Sequence, residues 1–457
     1  MNSMFLTDGY KLDHRRQYPE GTEFVYSNLT ARSAKHFSLP DGKVLDGHVI
    51  FGIRYLCEKY LIKEFNKNFF SMDEDVAALT YRKMLSYYLG KEASKNIGDA
   101  HIRSLHRLGY LPVEIRALPE GTICPIGVPC MTIINTKPEF YWVTNFLETL
   151  ISSVLWMPMT SATTAREFKK ELKRHCEKTG IDMNDFLVHD FSMRGMPGVE
   201  GAVLSGMGHL AVFSGSESIP AIVEIEKCYN KGLEVQTAGT IAATEHSVAC
   251  ANTTYGEDGS VSDEEYLDHI LEVYPSGFVS TVADTYDFWR FITKYVADRK
   301  DKIIDRDGRL VIRPDSGIPE DIIAGDPNAK PGTVEYKGAY EILWEIFGGT
   351  VNKNGYKVLD SHIGMIYGDS ITMERQAEIY RRLETKGFSA SNLVLGVGSW
   401  TYQGHATRDS LGFAVKATWA RINGKPKELF KDPKTVVGMP KRALEGLFKY
   451  MKKTERL

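Results

Sequence analysis

The stretch "RLVIRPDSG", Arg309 to Gly317, is an apolar run that stops abruptly in a cation, a carboxylate, a hydroxyl and a glycine. A short apolar run bounded by turn residues reads as a buried strand, and such a strand delivers its terminal ionisable groups to one rim of a core. Six further stretches share the design: "FLVHDFS", "HLAVFSGS", "TIAATEHS", "FVSTVADTY", "HIGMIYGDS" and "NLVLGVGS". Most are separated by segments of helical period such as "DEEYLDHILEV" and "MERQAEIYRRLE". The pattern predicts βα repeats of parallel strands, an α/β barrel whose active site occupies the face where the strands end. A doubly wound sheet also binds ligands at carboxyl strand ends and is the competing architecture.

Outside this region the rhythm changes. "LPVEIRALPEGTICPIGVPCMTIIN", Leu111 to Asn135, alternates and is punctuated by Pro and Gly, which predicts short antiparallel strands. "FVYSNLTARS" near one end and "WARINGKPKELFKD" near the other, with Asn423-Gly424 suited to a tight turn, join it in a β-rich domain built from both chain ends. The expected organisation is residues 1–150 in the β-rich domain with helices, 151–405 in the barrel, and 406–457 returning to the β-rich domain.

Composition narrows the function classes. The 457 residues can bury a substantial core, and 43% hydrophobic with 25% charged residues is ordinary for a globular protein. A formal net charge of -3 gives no general reason to expect nucleic acid, so any anion site is local. No apolar run is long enough to span a membrane and the N-terminus lacks a secretory core, so a cytoplasmic enzyme is expected. The six cysteines are scattered without a Cys-x-x-Cys pair and read as reduced and structural.

The strand ends supply the candidate chemistry. Arg313 and Asp315 in "RPDSG" can bind phosphate and accept from sugar hydroxyls or contact Mg²⁺; an internal Arg-Asp pair in a polar turn is the plainer alternative. "YGDS", Tyr367 to Ser370, and "GVGSW", Gly396 to Trp400, offer bare backbone N–H groups that can cradle phosphate, although glycine also simply marks turns. Asp284 in "VADTYD" can orient a histidine, hold a metal or cap a helix. Phe191 in "HDFSMRG" can stack on a flat heteroaromatic ligand or fill the core, and His189 reads as structural. His246, in "EHSVAC" after a small apolar run, is either a satisfied structural histidine or a reactive one.

Taken together, "TDGYKLDHRRQYP", "HDFSMRG", "EHS", "ADTYD", "IRPDSG", "GDS" and "TRD", in order from Thr7 to the "FKDP" at Phe430 to Pro433, resemble the nicotinamide phosphoribosyltransferase family. The resemblance implies a type II phosphoribosyltransferase fold, transfer of a phosphoribosyl group from phosphoribosyl pyrophosphate to nicotinamide, and a homodimer with shared active sites. It implies that Phe191 and Tyr10 of the partner subunit sandwich the pyridine, and that Arg194 and Arg313 approach phosphate or carboxamide. Asp315 matches the ribose-binding carboxylate, while Gly368, Asp369, Gly398 and Ser399 match the phosphate loops. Arg32, Arg408 and Lys416 match residues that reach pyrophosphate across the dimer. His246 matches the histidine that ATP phosphorylates, with Asp284 or Glu245 fixing its tautomer. ATP is then a co-substrate, and Mg²⁺ arrives on the pyrophosphate, with Asp284 or Asp315 as candidate protein ligands.

Two positions depart from the family pattern. Glu217 stands where Asp is usual as the carboxamide acceptor, and Ser399 where a longer glycine run is common. The rivals are nicotinate phosphoribosyltransferase, against which "MRG" speaks because nicotinate relatives tend to carry a second Arg, and a catalytically silent ligand-binding barrel. An aldolase-type barrel would need a strand-end lysine for a Schiff base, and none of these strand ends supplies one.

Overall fold

The computed structural model describes residues 1–229, 236, 238–368, 370–404 and 406–430. The chain divides into two compact units, one of Met1–Thr160 with the segment from Ala406, the other of Ser161–His405.

The second unit is built on a seven-stranded, all-parallel sheet. Its order is Gly215–Ser216, Val188–Asp190, Leu393–Val397, Ile363–Tyr367, Asp307–Arg313, Ser276–Val282 and Ala242–Ala243. A parallel bridge between Gly215 and Gly239 draws the two edges together, so the sheet curls as a barrel-type sheet. The Arg309–Gly317 stretch shows how sequence dictates this. Leu310 and Ile312 are fully buried in the outer layer, whereas Arg309, Val311 and Arg313, on the alternate face, line an interior cavity of about 100 Å³. Helices cover the outer face. Glu264–Val273 buries Tyr266, Leu267, Ile270 and Leu271, one stripe at helical spacing. Met373–Thr385, capped by Thr372 accepting from the Arg375 N–H at 3.3 Å, buries Ile379, Tyr380 and Leu383. Each such aliphatic side chain removed from water contributes about 1.5–3 kcal/mol.

One expected strand is much shorter than its sequence stretch. Much of "HLAVFSGS" closes the Gly198–Leu210 helix and the turn after it, and only Gly215–Ser216 pairs in the sheet. That helix is buried on nearly all sides, so its sequence is apolar without a stripe and cannot be told from a buried strand by periodicity.

The first unit contains a five-stranded antiparallel sheet, ordered Lys425–Glu428, Phe413–Ile422, Thr22–Ala31, Pro129–Asn135 and Val113–Ala117. Residues near both chain ends meet here: Asn28 pairs with Lys416, and Leu29 with Val415. The Asn423-Gly424 turn has φ of 49° and 72°, the left-handed pair that lets a two-residue hairpin follow strand twist.

Candidate functional site

Parallel register builds the centre of the site. Val282 is paired with Arg313, so Asp284 and Asp315, each two residues further on, leave neighbouring strands at the same height. Asp284 Oδ2 accepts the backbone N–H groups of Asp315 (2.9 Å) and Ser316 (2.7 Å) and the Ser316 hydroxyl (2.6 Å). One carboxylate oxygen thus anchors the whole "PDSG" turn. Asp284 does not cap the following helix; Asp287 does, accepting the Arg290 N–H at 2.9 Å. The other oxygen, Oδ1, is buried with no hydrogen-bond partner among the described residues, in a side chain only 4% exposed.

His246 opens a short helix after the Ala242–Ala243 strand and is 43% exposed. Its Nδ1 lies 3.1 Å from Thr285 Oγ1, and its Nε2 lies 3.6 Å from both Asp284 Oδ1 and Asp315 Oδ2. Of the two carboxylates expected to fix the tautomer, Glu245 is engaged by the Ser247 hydroxyl and Asp284 faces Nε2, while the Thr285 hydroxyl, able to donate or accept, meets Nδ1. Thr285 sits inside "VADTYD", but only tertiary structure reveals that its hydroxyl faces the imidazole.

Arg313 donates from Nη2 to Asp315 Oδ2 at 3.2 Å, while its Nε is buried with no partner among the described residues and the side chain lines the cavity. Gly368 lies against this pair: a Cβ there would stand 2.5 Å from Asp315 Oδ1, so glycine is what allows the close approach. Asp369 and the tail beyond Phe430 lie outside the described residues.

The cavity wall carries the remaining candidates of this unit. The Phe191 ring packs over Gly396, where a Cβ would meet it at 2.4 Å, and stacks beside His189 with centroids 5.8 Å apart. His189, read as structural, lines the cavity as well, and burial pushes its pKa down to about 4, so the ring is neutral. Glu217 lines the same cavity and accepts from Thr240 Oγ1 at 2.6 Å, which orients its carboxylate. The Met193–Gly195 turn carries Arg194, which is exposed, and Gly195 abuts Ser399 so closely that a Cβ would lie 2.0 Å from its Oγ. Gly398 follows the Leu393–Val397 strand, whose Val397 carbonyl accepts the Phe191 N–H at 3.0 Å. The strand ends around Phe191 and Gly398–Ser399 are therefore neighbours.

Tyr10, Arg32, Arg408 and Lys416 belong to the first unit. Tyr10 is 59% exposed, and its pKa is raised by burial of part of the ring and by the charges of Glu148 and Asp8, against the fields of Lys416 and Arg408. Lys416 pairs with Glu148 at 2.9 Å, and Glu148 also holds the buried Lys11. Arg32 donates from Nε to the Gly412 carbonyl at 3.0 Å, beside the turn that Arg408 begins. Lys416 and Arg408 thus share one basic, partly aromatic neighbourhood with Tyr10, and Arg32 lies beside the Arg408 turn. Glu148, its organising carboxylate, carried no signal in sequence.

No cluster of three or more His, Cys, Asp or Glu side chains suited to a metal occurs among the described residues. The donor set nevertheless fits Mg²⁺, which is held by one or two carboxylates while substrate phosphates and water fill its other positions. The unpartnered Asp284 Oδ1 beside Asp315 is such a pair.

Residues 186–452 match the nicotinate phosphoribosyltransferase (NAPRTase) family, and residues 2–115 match the nicotinamide phosphoribosyltransferase N-terminal domain. A nicotinamide phosphoribosyltransferase of Acinetobacter baylyi is 45% identical over 460 residues, 98% of this chain and 88% of that protein. One of Mycoplasma pneumoniae is 32% identical over 467 residues, 98% of this chain and 95% of that protein. Human nicotinic acid phosphoribosyltransferase superposes with a TM-score of 0.53 at 17% identity, over 93% of this chain and 76% of that one, and shares the fold. Across nearly its whole length, with the type II phosphoribosyltransferase fold, the chain belongs to the nicotinamide phosphoribosyltransferases, pentosyltransferases within the NAPRTase family.

Proposed function

We propose that the protein transfers phosphoribosyl from phosphoribosyl pyrophosphate to nicotinamide, giving nicotinamide mononucleotide and pyrophosphate, and couples this to ATP hydrolysis through a phosphohistidine at His246. The observation that carries the choice of base is Glu217 on the cavity wall, held by Thr240 beside the Phe191 ring. A carboxylate accepts the carboxamide N–H of nicotinamide and repels the carboxylate of nicotinate, which sets the nicotinate reading second.

In the transfer, the pyridine nitrogen forms a bond to the anomeric carbon as the C–O bond to pyrophosphate breaks, and the bonding pair leaves with pyrophosphate. Phe191 orients the ring, Arg313 directs its unspent Nε–H toward the ligand, and Asp315 accepts from the ribose. Gly368, Gly398 and Ser399 receive the phosphate, and Arg194 adds positive charge. Holding the reactants in line in this way converts a bimolecular step into a unimolecular one. Mg²⁺ supplies charge neutralisation for the departing pyrophosphate, with Asp284 and Asp315 as the carboxylates available to it.

In the ATP step, the imidazole nitrogen that carries the lone pair attacks the γ-phosphorus while the bond to ADP breaks, and the proton on the other ring nitrogen is held by its neighbour, Thr285 Oγ1 at Nδ1 or the Asp284 and Asp315 carboxylates at Nε2. The basic neighbourhood of Arg32, Arg408 and Lys416, with exposed Tyr10, fits contribution to a second subunit's site, so we read the protein as a cytoplasmic homodimer. Among the described residues no helix is long and apolar enough to cross a membrane. Supplying phosphoribosyl pyrophosphate, Mg²⁺ and either nicotinamide or nicotinate, then identifying the nucleotide, tests the reading; formation of nicotinate mononucleotide alone overturns it. Mixing Arg32→Ala with His246→Ala protein tests the dimer: exchanging subunits should regain some ATP-stimulated activity, and exchange without that gain overturns shared sites.

A further inference from the structure

Behind the cavity wall lies a buried polar chain that the transfer itself does not use. Tyr402, in the Ser399–Gln403 helix, places its hydroxyl 2.5 Å from His209 Nδ1. His209, near the end of the Gly198–Leu210 helix, places Nε2 2.9 Å from the Gly215 carbonyl oxygen. A carbonyl only accepts, so Nε2 carries the proton and Nδ1 is the bare acceptor for the Tyr402 O–H. Every donor and acceptor in the chain therefore has a single role. His209 is fully buried and Tyr402 is 3% exposed. Burial lowers the His209 pKa and raises that of Tyr402, which keeps both neutral.

The two ends of this chain are the two halves of the site. Tyr402 lies three residues beyond Ser399, on the helix that follows Gly398. Gly215 pairs with His189 in the sheet and is followed by Ser216 and then Glu217 on the cavity wall. The Val188–Asp190 strand lies between these ends, pairing with Leu393–Val397 on one side and with Gly215–Ser216 on the other, and the His209 imidazole adds a second, side-chain connection between them. Both contacts in this buried link are direct, at 2.5 and 2.9 Å, so a displacement at one end is passed to the other through the imidazole.

We infer that Tyr402 and His209 are positioning residues that couple occupation of the phosphate loop to the shape of the base cavity. The inference rests on the transferase reading above. Binding of the phosphoribosyl group then tightens binding of nicotinamide, and by linkage the reverse holds by the same factor. Tyr402→Phe keeps the ring and removes only the hydroxyl, which severs the chain at one bond.

The test is titration calorimetry of nicotinamide with and without saturating ribose 5-phosphate. In the wild type, ribose 5-phosphate should lower the nicotinamide Kd about tenfold, within the usual range for coupled sites. In Tyr402→Phe the ratio should fall to within about twofold of unity while each ligand alone binds within about threefold of wild type. A wild-type ratio of one, or a wild-type ratio preserved in the folded variant, overturns the coupling and leaves the transferase reading standing. Failure of the wild type to bind either ligand overturns both. Should Tyr402→Phe not fold, histidine-selective ¹⁵N spectra of the wild type give the same decision: each ligand should shift the His209 ring resonances, and silence of those resonances refutes the coupling.

Discussion

Glu217→Gln is the most direct trial of how the cavity selects its base. The substitution keeps size and an acceptor oxygen for Thr240, which bonds the present carboxylate at 2.6 Å, and removes only the charge. For a nicotinate carboxylate taken to lie about 5 Å from Glu217, the two like charges in a medium of effective dielectric about 20 repel by about 3 kcal/mol. Glu217 is exposed on its outer side, so solvent screening removes half or more of this and leaves about 1.4 kcal/mol. That energy is a factor of about ten. Glu217→Gln should therefore raise kcat/KM for nicotinate about tenfold, lower that for nicotinamide a few-fold through a weaker acceptor, and leave KM for phosphoribosyl pyrophosphate unchanged. Steady-state kinetics with both bases gives the ratio, which reports differential transition-state stabilisation. A ratio within twofold of wild type would refute the reasoning and move selectivity to Arg313 or to the stack around Phe191.

His246→Ala should abolish ATP stimulation and the labelled phosphoenzyme formed from γ-labelled ATP while slow, ATP-independent transfer continues; retention of label would contradict the assignment. Gly368→Ala should reduce kcat/KM about a hundredfold in a folded protein, because a Cβ 2.5 Å from Asp315 Oδ1 must displace that carboxylate by a sizeable fraction of an ångström. Acid should destabilise the fold. Burial pushes His48 and His189 down to about 4 and His101 to about 3, below the ordinary 6.5. The unfolded chain then binds protons that the folded chain refuses, so this stability is complete above about pH 6.5 and is lost as pH falls toward 4, at up to about 1.4 kcal/mol per pH unit for each group. Urea midpoints at pH 7.5 and 5.5 measure it, and an equal or higher midpoint at pH 5.5 would contradict it.

The barrel was legible because its strands end in chemistry and its helices carry stripes: Arg309–Gly317 displays alternation, burial and a polar terminus in nine residues. The hairpin at Asn423-Gly424 was legible because a positive φ pair demands those residue types. The "HLAVFSGS" stretch misled because a helix buried on nearly all sides loses its period. Within the site, residue types were readable and partnerships were not. Asp284 and Asp315 stand together through parallel register, a property of two strands and of neither alone. Thr285 on His246, Thr240 on Glu217 and Glu148 between Lys11 and Lys416 are likewise contacts that only folding creates.

The pairing of Thr22–Ala31 with Phe413–Ile422 has a consequence during synthesis. The ribosome emits the first of these strands long before the second exists, and at about 5–20 residues per second the interval is about 20–80 s. Once Pro129–Asn135 has emerged and taken one edge, the nascent chain holds a ten-residue strand whose other edge stays unclaimed until Phe413–Ile422 follows. An open edge of this kind invites pairing with neighbouring nascent chains on the same message. Expression with chaperones that shield emerging strands should consequently raise the folded yield.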